Sequence, residues 1–196
     1  MSRKNIISVL CLTICGLLPL KSEAEVRLSP LFGDGMVLQQ RSSVPIFGSA
    51  VRGETVIVKT GWDGREYSTS ADETGRFIIY VKTPEAGGPY SLTINGRTVL
   101  NVMSGEVWLC SGQSNMQFTL AASDMSEVNG ECLDNVRIFT VPIQSRREPV
   151  AELTSGRWHF GDVDSIKTKV SAVAYYFARS LHAETGVPVG IISSSR

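Results

Sequence analysis

The sequence predicts an α/β protein with an N-terminal all-β domain: a β-sandwich followed by the first half of a doubly wound α/β domain. Three observations carry that expectation. From Val26 to about Met103, short runs rich in β-branched and aromatic residues alternate with Gly, Asn and Asp turns. After Gly105 the apolar runs lie further apart. A helical stripe then precedes the last of them, which gives an αβ unit. The rhythm changes at 104/105, so the expected parts are 1–24, 25–104 and 105–196.

The first of these parts reads as a cleavable export signal. Arg3 and Lys4 give a positive start, residues 6–20 an apolar core broken by Ser8, Thr13 and Gly16, and Ser22, Glu23 and Ala24 a cleavage site. An apolar core of about 15 residues falls short of the roughly 20 that cross a bilayer, so a membrane anchor is the lesser reading. Ile14 before Cys15 argues against a lipoprotein signal. The expectation is an exported protein, periplasmic or extracellular, free of the membrane after cleavage.

Composition narrows the class further. The chain has 196 residues, 42% hydrophobic and 19% charged, enough for one large or two small domains. Its formal net charge is zero, and removing residues 1–24 leaves 16 basic and 18 acidic side chains. No basic run interleaves with aromatics, so a nucleic-acid partner is not expected. Cys11 and Cys15 leave with the presequence; Cys110 and Cys132 are too few for a disulfide framework. Cys110 reads as a small buried hydrophobe rather than half of a bridge to Cys132. No Cys/His spacing suits a metal and no Gly-rich loop suits a phosphate, so neither metal nor cofactor is expected.

In the all-β part the expected strands are 44–47, 55–58, 77–81, 90–94 and 98–102. Tyr90, Leu92 and Ile94 alternate with Ser91 and Thr93, the two-residue period of a half-buried strand. Asn95-Gly96 suits a type I′ hairpin because both central residues need positive φ, and Asp63-Gly64 gives the same signal. Beyond Gly105 the expected strands are 107–110, 136–141 and 187–192. A helix is expected from Ser171 to Glu184, with Val170, Val173, Ala174, Phe177, Ala178 and Leu181 on its apolar stripe. Ser171 caps its start and Gly186 its end. Residues 161–169 read as a polar loop and 144–148 as a charged one.

The candidate reactive group is Ser114. The run Gly105-Glu-Val-Trp-Leu-Cys-Ser-Gly-Gln-Ser-Asn-Met116 leads an apolar strand into a polar turn that presents this hydroxyl. The carboxyl end of a buried strand is where an α/β sheet puts its reactive groups. Gly-x-Ser alone is only a turn in most loops. The α/β-hydrolase elbow also wants a Gly two residues after the serine, where Met116 stands.

The whole run 105–116 is more specific. It closely resembles the nucleophile block of the sialate O-acetylesterase family, carbohydrate acetylesterases of the SGNH (GDSL-like) hydrolase superfamily. Three further pieces match in order: Phe32-Gly-Asp-Gly-Met-Val-Leu-Gln39, Ser171-Ala-Val-Ala-Tyr-Tyr-Phe-Ala178 and Val187-Pro-Val-Gly-Ile191. The resemblance implies an SGNH-type α/β domain after a small β-domain, and an acetylated carbohydrate, a sialic acid or another acetylated sugar, as substrate. It implies that Ser114 attacks the acetyl carbonyl and that its backbone N–H is one oxyanion donor. Gln113 and Asn115 flank the serine and either line the pocket or only brace the turn.

The resemblance also implies a base in a distal Asp-x-x-His pattern. Only His159 and His182 are present, with Gly156 and Arg179 three residues before them. His182 reads as a solvated helix residue and His159 as a loop residue. The run to Arg196 stops short of the Gly-Gly turn that the resemblance leads one to expect. The expectation is therefore the amino-terminal part of an esterase, truncated and inactive alone, with 187–193 as an exposed apolar edge strand. Two other readings compete: a carbohydrate-binding or interaction module, with Trp62 stacking on a sugar, and a pseudoenzyme.

Overall fold

The structure is a computed structural model that describes residues 26–144, 147, 148, 150 and 152–195. The export signal at 1–24, with Cys11 and Cys15, lies outside the described residues, as does part of the charged loop at 144–148.

Two sheets share one core. β1 (Arg27–Leu28), β3 (Ser43–Ser49) and β6 (Arg76–Lys82) form an antiparallel three-stranded sheet in the order β1-β3-β6. β6 alternates strictly, so Phe77, Ile79 and Val81 point inward while Arg76, Ile78, Tyr80 and Lys82 stay out. The second sheet contains β2 (Val37–Gln39), β4 (Thr55–Thr60), β5 (Glu66–Ser70), β7 (Gly87–Ile94), β8 (Arg97–Gly112), β9 (Cys132–Thr140), β10 (Trp158–Asp162) and β11 (Val189–Ser195). Its order is β10-β9-β11-β8-β7-β4-β5, with β2 beside β8. Val56, Val58, Leu92, Ile94 and Val102 from this sheet close on Ile46, Phe77, Ile79 and Val81 from the first. Both hairpins form where the sequence puts them, but at Asp63-Gly64 only Gly64 takes positive φ, at 70°, so that turn is not of type I′. Asn95 and Gly96 sit at φ 42° and 85°, as type I′ geometry requires.

The two expected strands 98–102 and 107–110 are one strand. β8 runs unbroken through position 104/105, so a single sheet passes from the all-β part into the part that carries the serine. What makes room at that junction is Gly105. A Cβ there would run into the Pro188 carbonyl oxygen, where the chain entering β11 crosses β8. Gly190 likewise admits Val37 of β2.

The carboxyl-terminal strand departs from expectation. β11 is not an exposed edge; it pairs in parallel with β8 on one side and β9 on the other. Its apolar run suits that interior place, because Val189 and Ile191 are buried against the helix while Ile192 faces the other core.

One face of this parallel trio is covered by a helix of 14 residues, α3 (Ala172–Thr185), preceded by two single turns, α1 (Ser114–Gln117) and α2 (Val163–Ile166). The α3 caps are those expected: Ser171 Oγ accepts from Ala174 N–H at 3.3 Å, and Gly186 takes φ 71°. Its buried face is rotated from the expected stripe. Ala172, Ala174, Tyr175 and Ala178 are buried, whereas Val173 and Phe177 are exposed. Small residues let the helix approach β9 and β11 closely, and the bulkier pair is left beside the uncovered side of β8. Residues 161–169, expected to be a polar loop, contain α2, capped by Asp162 and burying Val163 and Ile166.

Arg137 ties the two parts together. It is buried on β9, where its guanidinium donates to the Gly35 and Asn101 carbonyls at 3.0 and 2.5 Å and to Asn101 Oδ1 at 2.9 Å. Its Nε donates to the Asp134 carbonyl at 2.8 Å, and the Phe160 ring lies 4.7 Å away. Burial pushes this side chain down to about 10, with the nearby Asp134 charge opposing the shift.

Candidate active site

β8 leaves the sheet at Gly112, whose φ of 155° and contact with Met116, 3.3 Å from an added Cβ, suit a residue without a side chain. Gln113 then serves as N-cap of α1: its carbonyl accepts from Met116 and Gln117 at 2.9 and 3.1 Å. The turn is pinned to the start of α3. Leu120 N–H donates to the Val170 carbonyl at 3.0 Å, and Ala172 N–H to the Phe118 carbonyl at 2.9 Å. Met116 is half-buried against the α3 cluster, with the Ser171 hydroxyl 3.4 Å from its sulfur. The residue that departs from an α/β-hydrolase elbow is thus the one that anchors this turn. Reading the sequence missed that role because Ser171 lies 55 positions away.

Ser114 sits at the first position of α1 at the carboxyl end of the parallel strands. Gln113, Ser114 and Asn115 are all exposed, and Ser114 Oγ has no hydrogen-bond partner among the described residues. The first N–H groups of a helix have no intrahelical acceptor, so the Ser114 amide is available to a ligand. Beside the serine stands the end of β11, with Ser195 opposite Gly112 and Ser193 opposite Cys110. These neighbours were invisible beforehand because they depend on a parallel register set by long-range pairing. Cys110 is half-buried and free, with burial pushing its thiol up; Cys132 is exposed and free.

Neither histidine reaches the serine. His159 lies on β10, not in a loop, and faces Ile138 of β9, then Ile191 of β11, then Trp108 of β8. Three strand spacings separate their strands by about 14 Å, and the four residues from Trp108 to the end of β8 at Gly112 add about 13 Å in the perpendicular direction. Burial, then the nearby Arg157 and Lys169 charges, hold its imidazole below the usual value. His182 Nδ1 lies 2.7 Å from the Val187 carbonyl, at the opposite end of β11 from the elbow. Trp62, the candidate sugar platform, packs edge-to-face on Tyr90 at 5.8 Å, and its Nε1 donates to the Lys82 carbonyl at 3.1 Å. Among the described residues, no group of three or more His, Cys, Asp or Glu side chains could hold a metal.

No family model matches the chain. Over 86% of its length it is 30% identical to the sialate O-acetylesterase of Rattus norvegicus and 32% identical to that of Mus musculus. The human sialate O-acetylesterase is 29% identical over the same share. A crystal structure of a carbohydrate acetylesterase from Xanthomonas citri superposes on 87% of the chain with a TM-score of 0.77 and 32% identity. These matches take in 35% of the rat and mouse proteins, 36% of the human one and 40% of the Xanthomonas chain. The chain thus spans little more than a third of the relatives it matches.

Proposed function

We propose that this chain, which belongs to the sialate O-acetylesterase family, carries the nucleophile-bearing part of an exported carbohydrate O-acetylesterase, with Ser114 as nucleophile. One observation supports it above the rest: an exposed serine hydroxyl with no partner among the described residues, on a pinned turn at the carboxyl end of a parallel strand. In this reading Ser114 Oγ attacks the carbonyl carbon of an acetyl ester on a sialic acid or another sugar. The Ser114 N–H meets the developing oxyanion. Collapse of the tetrahedral intermediate expels the sugar hydroxyl and leaves Ser114 acetylated; water then releases acetate and restores the serine. Gln113 and Asn115, exposed on either side, line the approach to the ester.

The finer architecture belongs to the same proposal: a β-sandwich over 25–104 and the first half of an SGNH-type domain over 105–196, exported by cleavage after Ala24. Secretion by intact cells should yield a mature amino terminus at Glu25, read by mass spectrometry; an unprocessed Met1 in the culture fluid would defeat the export reading.

The base that activates the serine is not one of the two histidines of this chain: His159 lies three strands away and His182 at the opposite end of β11. Missing a triad member costs several orders of magnitude in rate, so these 196 residues alone hydrolyse p-nitrophenyl acetate no faster than Ser114→Ala. The positive test is a chimera that joins residues 26–195 to the portion of the Xanthomonas acetylesterase outside the match. Acetate release from an acetylated sugar is expected, with a loss of at least about a thousandfold on Ser114→Ala. A folded, active chimera indifferent to that substitution would end the assignment.

A further inference from the structure

Resting on the reading of Ser114 as nucleophile, we propose that Ser171 is a positioning residue for it: through the Met116 sulfur, the Ser171 hydroxyl fixes the turn that aims Ser114.

The serine stands on a short stretch that the main chain secures at both ends but not in the middle. On one side the ladder between β11 and β8 stops at Ser195 and Gly112. On the other, three backbone bonds dock the chain after α1 onto the approach to α3. Ala172 N–H donates to the Phe118 carbonyl at 2.9 Å, Leu120 N–H to the Val170 carbonyl at 3.0 Å and Ala121 N–H to the Lys167 carbonyl at 2.9 Å. Between these anchors, among the described residues, the backbone bonds of 113–117 run within the turn itself. Side chains add one hold. Of the eight residues from Ser111 to Phe118, seven are exposed; Met116 alone is half-buried, packed on the cluster that contains Leu120, Ala174 and Tyr175.

Two positions in a helical turn lie about 200° apart around its axis, so a Met116 turned inward sends Ser114 outward. A flexible thioether side chain keeps that orientation poorly unless its far end is held. Ser171 holds it. Its Oγ accepts from Ala174 N–H at 3.3 Å, which caps α3, and gives its proton to the Met116 sulfur at 3.4 Å. A hydroxyl has one donor and two acceptor sites, so these bonds do not compete. Ser171 is 5% exposed, and the residues on either side of it are bonded to Leu120 and Phe118, so its oxygen is fixed with respect to the turn. The aim of the serine is therefore set by the start of the helix packed on β9 and β11, and not only by the strand that delivers it.

Two measurements test this latch. In the 196-residue chain carrying carbon-13 in its methionine methyl groups, the Met116 signal is identified by its loss in Met116→Leu. Ser171→Ala should shift and sharpen that signal toward free rotation, while those of Met36 and Met103, buried in the other core, stay in place. An unmoved Met116 signal overturns the proposal without reference to activity. The second measurement uses the acetylesterase chimera. There Ser171→Ala should lower kcat about tenfold with KM within about twofold, given that a misplacement of about 1 Å costs about a hundredfold. Met116→Leu keeps the volume and removes the acceptor; it should do the same, and the double variant should be no worse than either. Ser171→Asp separates cap from latch: a carboxylate caps α3 but has no proton to give, so the melting temperature holds while kcat falls. With Ser114→Ala inactive, an unchanged kcat in Ser171→Ala or Ser171→Asp, or losses that multiply in the double variant, overturns the proposal and leaves the nucleophile standing. A chimera in which Ser114→Ala is harmless ends the nucleophile reading, and the positioning role with it, even where the methyl signal shifts.

Discussion

The lower and upper halves of β8 have similar apolar content and very different surroundings. From Arg97 to Gly105 the strand is flanked by β7 and, at its end, β2. There Val99, Val102, Met103 and Ser104 are all buried, and the Ser104 hydroxyl is spent on the Pro84 carbonyl at 3.0 Å. From 106 to 112, among the described residues, only β11 pairs with it, Trp108 and Leu109 are exposed, and the strand ends at a serine whose hydroxyl is bonded to nothing described. The burial of a strand residue is a property of the strands beside it and not of its own side chain. The unsatisfied end is where chemistry becomes possible, because its polar groups are still available.

The largest test of that contrast lies at the junction. Gly105→Ala puts a methyl group against the Pro188 carbonyl, backbone that cannot swing aside, and should cost about 3 kcal/mol in urea unfolding. A cost within about 0.5 kcal/mol, that of an ordinary surface change, would mean the halves are not locked together there. Next, one truncation in each half separates them directly. Val102→Ala empties a fully buried site and should cost about 2 kcal/mol, whereas Leu109→Ala, at low protein concentration, should stay within about 0.5 kcal/mol. Equal costs would break the comparison.

The smallest effect is a pH dependence on the far side of the sheet. His159 in the folded protein titrates below 6.5, chiefly because burial disfavours the imidazolium. The unfolded chain therefore binds a proton near pH 6.5 that the folded one refuses. The His159 contribution to stability is present above that pH and is lost as pH falls toward the folded value. His159→Phe should flatten the melting temperature between neutral pH and about pH 5. An unchanged slope would assign the acid sensitivity to other groups.

How much was legible follows from the range of each interaction. Asn95-Gly96 demanded two positive φ angles, Ser171 offered a cap to the N–H three residues on, and the alternation of β7 marked its inner face; each of these is local. The serine was legible too, as the end of an apolar run followed by a polar turn. Its setting was not. The Met116 anchor, Ser193 and Ser195 alongside, and the distance to His159 all depend on which strand lies beside which.

By itself the sequence determined the strands it marked by β-branched runs and turns, though not β1, β2 or β10, together with the α3 helix and its caps and the serine at the tip of an apolar run, since these follow from periodicity and turn chemistry over a few residues. Only the tertiary structure decided that β8 is continuous, that β11 lies inside the sheet, and that α3 turns its alanines inward. Those outcomes rest on register and close approach between segments 50 or more residues apart, at Gly105 and Gly190 above all, and no local pattern encodes a partner at that distance.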